Sequence, residues 1–249
     1  MSGHSKWSTI KRQKGVNDAK RGAIFTKVAR EIMVAARAGG GDPDANYRLR
    51  LAMDKGRSIN MPADNIKRAI EKATGAGDDI EYVEIVYEGY GPGGVAVLVE
   101  TATDNRNRTA AEVRSIFAKT GGQLAGAGAV AWQFEIRGLI TVARDGKDPD
   151  EVALAAIDAG AADVDTDADP IEIYTDPSDL EAVRKALDAA GGTVEDAESA
   201  MIAKQTVTLD AEHVRKALRL VDLLEDLDDV QRVTTNVEIP EELLEELAG

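Results

Sequence analysis

The first long helix is predicted by apolar residues that recur every three or four positions. Asn17 or Asp18 can cap its start, and the three glycines at 39–41 stop it near Ala38. Its apolar face is formed by Ile24, Phe25, Val28, Ala29, Ile32, Met33 and Ala36. Because a helix with one apolar face buries that face, we expect it to pack within a small bundle.

Two shorter helices are predicted to complete this bundle. Asp42 followed by Pro43 provides a cap and a proline at the first helical position, and this helix should end near Lys55. Pro62 opens the other helix, which should end near Gly75. The first 16 residues are polar and basic without a period, so we expect an extended or partly disordered arm there.

Beyond a linker at residues 76–79, the pattern changes to that of strands separated by helices. A capping box at 109–112 predicts the start of the first of these helices. Strands are expected at 81–88, 95–103, 129–134, 138–143, 171–175, 199–204, 207–209 and 230–237, and helices from 109 and at 149–159, 179–190 and 211–224.

These elements predict an α+β fold in which an N-terminal three-helix bundle is followed by two α/β sandwich domains. Residues 1–76 would form the basic arm and bundle. The unit at 77–134 lacks a helix–strand pair to cover its sheet, and residues 206–249 supply that pair. The third domain, residues 135–205, is therefore predicted to be an acidic insertion in a discontinuous second domain.

A glycine-rich segment at residues 89–94 matches the G-x-G-x-x-G pattern of dinucleotide-binding loops. That function requires a helix after the loop, but an apolar strand pattern follows here, and Pro92 interrupts the loop. We therefore predict an exposed hairpin loop and no bound cofactor.

The composition gives no indication of a metal site and excludes disulfide bonds. Cysteine is absent, and His4 and His213 have no ligand spacing. Aspartates alternate at 163, 165, 167 and 169, but the glycine and terminal glutamate of a calcium-binding loop are missing. We expect a solvated loop there and no metal site. Without a long apolar run or a secretory signal, the chain is predicted to be cytoplasmic and to bind no membrane.

Charge is distributed unevenly between the first third and the rest of the chain. Residues 1–76 contain 16 basic and seven acidic residues, a net charge of +9. The remaining 173 residues contain 14 basic and 38 acidic residues, a net charge of −24. A basic block attracts polyanions, and each neutralised phosphate releases counterions. The first third is therefore predicted to contact nucleic acid, although Lys and Arg also occur on ordinary solvated helix surfaces.

The first helix and the arm provide most of the candidate contacts. Basic residues of the first helix are expected to face outward, opposite the apolar side, without partners in their own helix. Within the arm, Trp7 lies among cations and can either stack on a base or anchor the arm to the bundle.

Two arginines outside the basic third are also candidates. Arg106 and Arg108 lie beside predicted helix-terminal amides, a place suited to anions, or they pair with acids such as Asp104. The complete candidate set for nucleic-acid binding is His4, Lys6, Trp7, Lys11, Arg12, Lys14, Lys20, Arg21, Lys27, Arg30, Arg37, Lys67, Arg68, Arg106 and Arg108.

Several multi-residue motifs are distributed over nearly the whole chain. They lie at 3–7, 20–22, 30–32, 35–37, 40–43, 60–62, 64–66, 88–97, 104–109, 158–161 and 228–231. Together they resemble the YebC family of bacterial and organellar gene-expression regulators. The sequence departs from the family at Thr234, where an aromatic residue is expected, and in its tail at 238–249.

The resemblance implies a three-domain cytoplasmic protein without enzymatic activity. Family members are usually described as DNA-binding transcriptional regulators. Others resemble ribosome-associated factors that help translation through difficult sequences such as proline runs. The resemblance therefore leaves both RNA and DNA as targets, and the sequence leaves open whether the acidic domains bind a protein partner.

The favoured function is a ribosome-associated translation factor that binds ribosomal RNA through residues 1–76 and relieves stalling. An extended basic arm with one aromatic residue suits an irregular RNA cavity. The alternative is a transcriptional regulator that places a helix in duplex DNA. Asn65, Lys67 and Arg68 could read bases, but a clear helix-turn-helix signature is missing and the acidic remainder would be repelled.

A metal-dependent nuclease is the remaining class considered. Glu100, Asp104 and Glu112 could hold Mg²⁺ near a strand end. Glu112 is already explained as a capping residue, and no histidine lies near enough in sequence to act as a general base. We therefore predict that the protein is not an enzyme.

Overall fold

The computed structural model describes residues 18–75, 82–240 and 243 of the 249-residue chain. Its first third is a bundle of three helices, α1 (Asp18–Gly39), α2 (Tyr47–Ser58) and α3 (Ala63–Thr74). The core of this bundle includes Val28, Ile32, Leu49 and Ile66. The apolar face predicted for the first helix is therefore confirmed.

The second helix begins at Tyr47, later than the predicted start at Pro43. Asn46 caps it, accepting a hydrogen bond from the backbone N–H of Leu49 at 3.1 Å. The buried amide of Asn46 also donates to the carbonyls of Ala35 and Gly40, both at 2.8 Å. The predicted cap at Asp42 was wrong because one asparagine satisfies both the start of α2 and the carbonyls at the end of α1.

The rest of the described chain alternates between strands and helices. In chain order the elements are β1 (Val83–Tyr90), β2 (Ala96–Thr103), α4 (Arg106–Thr120), β3 (Gln123–Leu124), β4 (Phe134–Ala143), α5 (Pro149–Asp158), β5 (Asp163–Asp165), β6 (Ile171–Thr175), α6 (Leu180–Ala189), β7 (Thr193–Ala203), β8 (Val207–Thr208), α7 (Ala211–Glu225), β9 (Val230–Thr235) and β10 (Val237–Glu238). Short 3₁₀ turns lie at Pro92–Gly94 and Ala131–Gln133.

The first sheet has the strand order β3-β1-β2-β9, with antiparallel pairing throughout. Helices α4 and α7 cover one face, where Val97 and Val99 of β2 pack with Phe117 and Leu220. Because β9 comes from the end of the chain and borders β2, the sheet is built from two distant segments. The prediction of a discontinuous second α/β layer is confirmed.

The second sheet has the strand order β5-β6-β4-β7 and is also antiparallel. Its apolar face packs against α5 and α6 through residues such as Ile140, Ile173, Val183 and Leu187. All of its strands lie between β3 and β8 in the sequence. The inserted position of this layer, and with it the predicted α+β class, is confirmed, while the residue boundaries assigned to the domains stay a prediction.

The segment before β4 does not form the strand predicted at 129–134. The carboxylate of Glu88 accepts hydrogen bonds from the backbone N–H groups of Gly128, Val130 and Ala131, at 2.5, 2.7 and 2.8 Å. These donors are therefore not available to a sheet, and residues 131–133 form a 3₁₀ turn instead. Strand β4 starts at Phe134 and continues unbroken through the predicted gap at 135–137.

The glycine-rich segment is the predicted strand–strand connection, but the prediction that it is exposed was wrong for Gly91 and Pro92, which are buried. It joins β1 to antiparallel β2, and no helix begins at Gly94. Its first glycine has a packing role, because a Cβ at Gly89 would lie 2.5 Å from the ring of Phe117. Gly93 adopts a φ of +77°, a conformation that glycine reaches without strain. The loop geometry thus follows from packing and turn formation.

Within residues 18–75 and 82–240, no helix is both long and apolar enough to cross a membrane.

Candidate nucleic-acid interface

Two of the cations predicted to face outward on α1 are instead used inside the protein. Arg30 is only 8% exposed and forms an ion pair with Asp229 at 3.1 Å. Its guanidinium also donates to the carbonyl of Asp228 and lies 5.0 Å from the ring centre of Tyr82. Lys27 donates to the carbonyl of Glu225. The expectation that this side of α1 faces outward was therefore wrong for Arg30 and Lys27, whose partners lie in other parts of the chain.

Asp229 is the centre of a buried polar cluster that joins the bundle to the first sheet. Its carboxylate accepts hydrogen bonds from the hydroxyls of Thr103 and Thr109, at 3.0 and 2.6 Å. Burial alone would raise the pKa of Asp229, but these hydroxyls and the guanidinium groups of Arg108 and Arg30 outweigh burial and lower the pKa. The side chain is therefore held ionised between two arginines.

This cluster also explains why the predicted capping box at 109–112 was wrong. Thr109 is fully buried and bonds to Asp229, so it cannot cap a helix. Asn105 is the N-cap of α4, and its side chain accepts a hydrogen bond from the backbone N–H of Arg108 at 3.1 Å. Helix α4 begins at Arg106, three positions before Thr109.

Arg106 and Arg108 have different environments. Arg108 pairs with Asp104 at 2.8 Å and with Asp229 at 2.6 Å, which is the alternative that the sequence left open. Arg106 is exposed at the first position of α4. Arg106 therefore faces solvent without an ion pair to a described acid, whereas Arg108 is held by two carboxylates.

A second, partly buried ion-pair network joins α2 to both sheets. Lys55 of α2 lies 3.2 Å from Glu31 of α1 and 3.3 Å from Glu198 of β7. Glu198 also pairs with Arg232 of β9, and Arg232 lies 3.8 Å from Glu100 of β2. Although burial raises the pKa of Glu198, the charges of Arg232 and Lys55 lower it overall. These residues line a cleft of about 370 Å³ where the three parts of the chain meet.

The candidate cations that face solvent lie on α3 and at the end of α1. Arg37, Lys67 and Arg68 are all exposed. Lys67 has a partner in Glu71 at 3.7 Å, but both side chains are largely exposed, so this pair restricts the lysine little. Arg37 and Lys72 line a cleft of about 240 Å³ between α1, α3 and the start of β1. Together these side chains form a basic outer face of the bundle.

The other candidates cannot be placed in the same way. His4, Lys6, Trp7, Lys11, Arg12 and Lys14 lie outside the described residues. Lys20 and Arg21 lie in the first turn of α1, and their side chains are outside the description. Their predicted roles therefore stay predictions.

The carboxylates considered for a nuclease are spread over separate environments. Glu100 lies beside Arg232, Asp104 pairs with Arg108, and Glu112 is exposed on α4. Within the part of the chain that the structure describes, no group of three His, Asp or Glu side chains has a geometry that could hold a metal ion.

Sequence reasoning did not identify Asp229 as a structural centre or Trp132 as an exposed residue. Asp229 lies in a motif at 228–231 that carried the family resemblance, which was an available signal. Trp132 is 68% exposed in the 3₁₀ turn before β4, and it had been included in the predicted strand. The outward orientation of Trp132 follows from the 3₁₀ turn, which the sequence pattern did not show.

Comparison with known proteins agrees with this architecture. Residues 5–76 match the description "TACO1/YebC protein N-terminal domain", and residues 82–237 match "TACO1/YebC second and third domain". A probable transcriptional regulatory protein of Roseiflexus castenholzii is 57% identical over 254 residues, covering 100% of both chains. A protein with the same description from Rubrobacter xylanophilus is 54% identical over 250 residues, again covering 100% of both.

A solved structure shares the fold. The crystal structure of a conserved hypothetical protein from Aquifex aeolicus matches with a TM-score of 0.85 and 44% sequence identity, covering 90% of this chain and 93% of that one. Both the domain matches and the full-length relatives lead to the same assignment. The chain belongs to the TACO1/YebC family.

Proposed function

We propose that this protein is a ribosome-associated translation factor that contacts ribosomal RNA through its basic N-terminal third and relieves stalling. A role in the regulation of gene expression is supported by its relatives, which are named probable transcriptional regulatory proteins. The observation that supports RNA contact is the basic outer face of the bundle, formed by Arg37, Lys67, Arg68 and Lys72.

This face is positioned for contact with a large partner. Helix α3 packs against α1 and α2, while α2 and α1 make the contacts with β7, β2 and β9. Helix α3 is thus the helix least involved in holding the bundle to the sheets, and its exposed side is left for a partner. Lys67 and Arg68 project from it into solvent, where they can approach phosphates without displacing buried partners.

The charges on α3 favour contact with a folded RNA backbone over insertion into a DNA groove. Asp64 in the first turn and Glu71 one turn before the end are also exposed. A recognition helix in the major groove would bring these carboxylates close to phosphates, which repel them. Cations at the edge of the helix can reach the phosphates of an irregular RNA surface from outside.

The second candidate is a DNA-binding transcriptional regulator. The description of the relatives as probable transcriptional regulatory proteins favours it. In that case the same exposed cations would contact duplex phosphates. Neither function requires a catalytic step, a cofactor or a metal.

The test compares ribosome pelleting of the full-length protein with its binding to labelled duplex DNA. Lys67→Ala should weaken ribosome association and reduce the slope of log affinity against log salt by about one. Lys185→Ala is the matched control, because Lys185 is similarly exposed on α6 of the acidic insertion and also pairs with a glutamate. Equal effects of the two substitutions, or tighter binding to duplex DNA than to ribosomes, would contradict the proposal.

A further inference from the structure

Two aromatic side chains are held together at the surface of the first sheet. Trp132 is 68% exposed, and Tyr90 at the end of β1 is 39% exposed. The indole N–H of Trp132 and the hydroxyl of Tyr90 both donate to the carbonyl of Ala129, each at 3.1 Å. Since one oxygen accepts both bonds, the two polar atoms lie within about 6 Å of each other. We call Tyr90, Trp132 and the adjoining Lys204 the aromatic platform.

The platform rests on a fixed loop. Glu88, which is buried, accepts three backbone N–H bonds from Gly128, Val130 and Ala131, at 2.5, 2.7 and 2.8 Å. Val130 from the same loop packs against the face of the first sheet opposite α4 and α7. Because Phe134 is buried in the same cluster, Trp132 projects from a segment that is anchored on both sides, which limits the entropy lost when its ring binds a ligand.

A cation is fixed at the edge of the platform. The exposed side chain of Lys204, just after β7, donates through Nζ to the carbonyl of Trp132 at 2.9 Å. This bond places the ammonium group beside the main chain of Trp132 and leaves its other two hydrogens for a ligand. An aromatic ring beside a cation is the combination that binds a base and its phosphate.

The hydrogen bonding of the rings indicates which class of ligand fits. A groove for proline-rich or other extended peptides uses aromatic polar atoms as donors to peptide carbonyls. Here the indole N–H and the tyrosine hydroxyl hydrogen are both occupied by Ala129. The platform therefore offers a flat π surface and one cation, which suit stacking without base-specific hydrogen bonds.

We propose that the aromatic platform binds single-stranded nucleic acid, with an unpaired base stacked on Trp132 and the adjoining phosphate held by Lys204. Tyr90 supports the orientation of the loop and extends the stacking surface. The site lies on the first sheet, away from the basic outer face of the bundle. It would thus be a second point of contact, which prefers unpaired over duplex strands because only an unpaired base exposes its face.

The test uses full-length protein in which Trp7→Phe leaves Trp132 as the only tryptophan, since the chain has two. A short single-stranded oligouridylate should quench its fluorescence on binding, and the same sequence in a duplex should quench it much less. Because Trp132→Ala has no tryptophan signal in this background, its binding is measured by the anisotropy of a fluorescently labelled oligouridylate. The variant should bind at least about fivefold more weakly than the parent, the effect of losing one stacked base. Its melting temperature should stay near that of the parent because the ring is exposed.

Two further variants separate stacking from other effects. Ile136→Ala is the matched control, because Ile136 is an exposed apolar residue of neighbouring β4 without an aromatic ring, and it should bind like the parent. Lys204→Ala should reduce the slope of log affinity against log salt by about 0.7, the value for one phosphate contact on a single strand. Absence of quenching, or oligouridylate affinity unchanged in Trp132→Ala, would overturn this proposal without affecting that for the bundle, which is tested by Lys67→Ala.

Discussion

Replacing Asp229 by alanine should destabilise the protein strongly, because this carboxylate is buried and shared by several donors. It is 3% exposed and pairs with Arg30 at 3.1 Å and with Arg108 at 2.6 Å. It also accepts bonds from the hydroxyls of Thr103 and Thr109. The substitution would leave those two hydroxyls and one buried guanidinium without their acceptor.

The size of the effect follows mainly from Arg30. Removing one partner of a buried ion pair costs roughly 3–5 kcal/mol, since the other charge remains buried. The side chain of Arg108 is 45% exposed and can be hydrated in the variant, so the loss of its ion pair with Asp229 adds little to the free-energy cost. Arg30 keeps the carbonyl of Asp228 and the ring of Tyr82, which favours the lower end of the range. At about 2 °C per kcal/mol for a chain of this length, the full range corresponds to a fall in melting temperature of roughly 6–10 °C, and we expect a value near the lower end.

The measurement is calorimetric melting of the full chain at neutral pH. Asp228→Ala is the control, because the side chain of Asp228 is exposed while the carbonyl that accepts from Arg30 is retained. The control should melt within about 1 °C of the parent, as surface substitutions usually change stability by less than about 0.5 kcal/mol. If Asp229→Ala melts as high as Asp228→Ala, the buried cluster does not hold the bundle to the first sheet.

Three further predictions address pH, packing and the arm. The pKa of Glu198 is lowered because the charges of Arg232 and Lys55 outweigh burial. Its contribution to stability is therefore complete above the ordinary carboxylate pKa and is lost as pH falls below about 4.5. Calorimetry of Glu198→Gln should show a lower melting temperature than the parent at pH 7 and a smaller fall in melting temperature as the pH is lowered. Gly89→Ala should lower the melting temperature, because its Cβ would lie 2.5 Å from the ring of Phe117, whereas Gly126→Ala, which meets open space, should not. Trp7→Ala should weaken ribosome pelleting about tenfold with unchanged melting, since a stacked base contributes roughly 1–3 kcal/mol; a lower melting temperature with unchanged pelleting would instead assign Trp7 to packing.

Helical periodicity predicted the core of the bundle because each helix contributes one apolar face to that core. Ile32 of α1 is fully buried, as its spacing indicated. The same periodicity placed Arg30 on the opposite side, but could not show that this side is covered by the turn before β9. A helix that packs on two neighbours has two buried faces, and the second is visible only when the tertiary structure is known.

The exposed position of Trp132 was hidden for a different reason. In a strand, alternating residues face the same way, so Val130, Trp132 and Phe134 would all be buried together. Val130 and Phe134 are buried, but the 3₁₀ turn at Ala131–Gln133 turns Trp132 outward. That turn is stabilised by Glu88, a residue distant in sequence. The strand predicted at 129–134 was therefore wrong, because the local pattern could not show the turn that a distant carboxylate stabilises.

The division of the basic residues into inner and outer sets changes what the charge of the first third means. Lys27, Arg30 and Lys55 are directed toward acceptors in the acidic parts of the chain, so their charge is offset before any partner binds. The net charge of +9 for residues 1–76 thus overstates the charge available to a polyanion. Because buried pairs are screened little by salt, they would not contribute to counterion release.

The same division explains how an acidic chain can present a basic face. Asp229 and Glu198, which hold the bundle in place, form ion pairs with arginine and lysine that offset their negative charge. Their charge therefore does not oppose the outward cations Lys67 and Arg68. If RNA contact depends on this outer face and the arm, the salt slope of binding should count those exposed cations alone. A slope that falls when Arg30 is replaced in a still folded variant would show that the inner set also reaches the ligand.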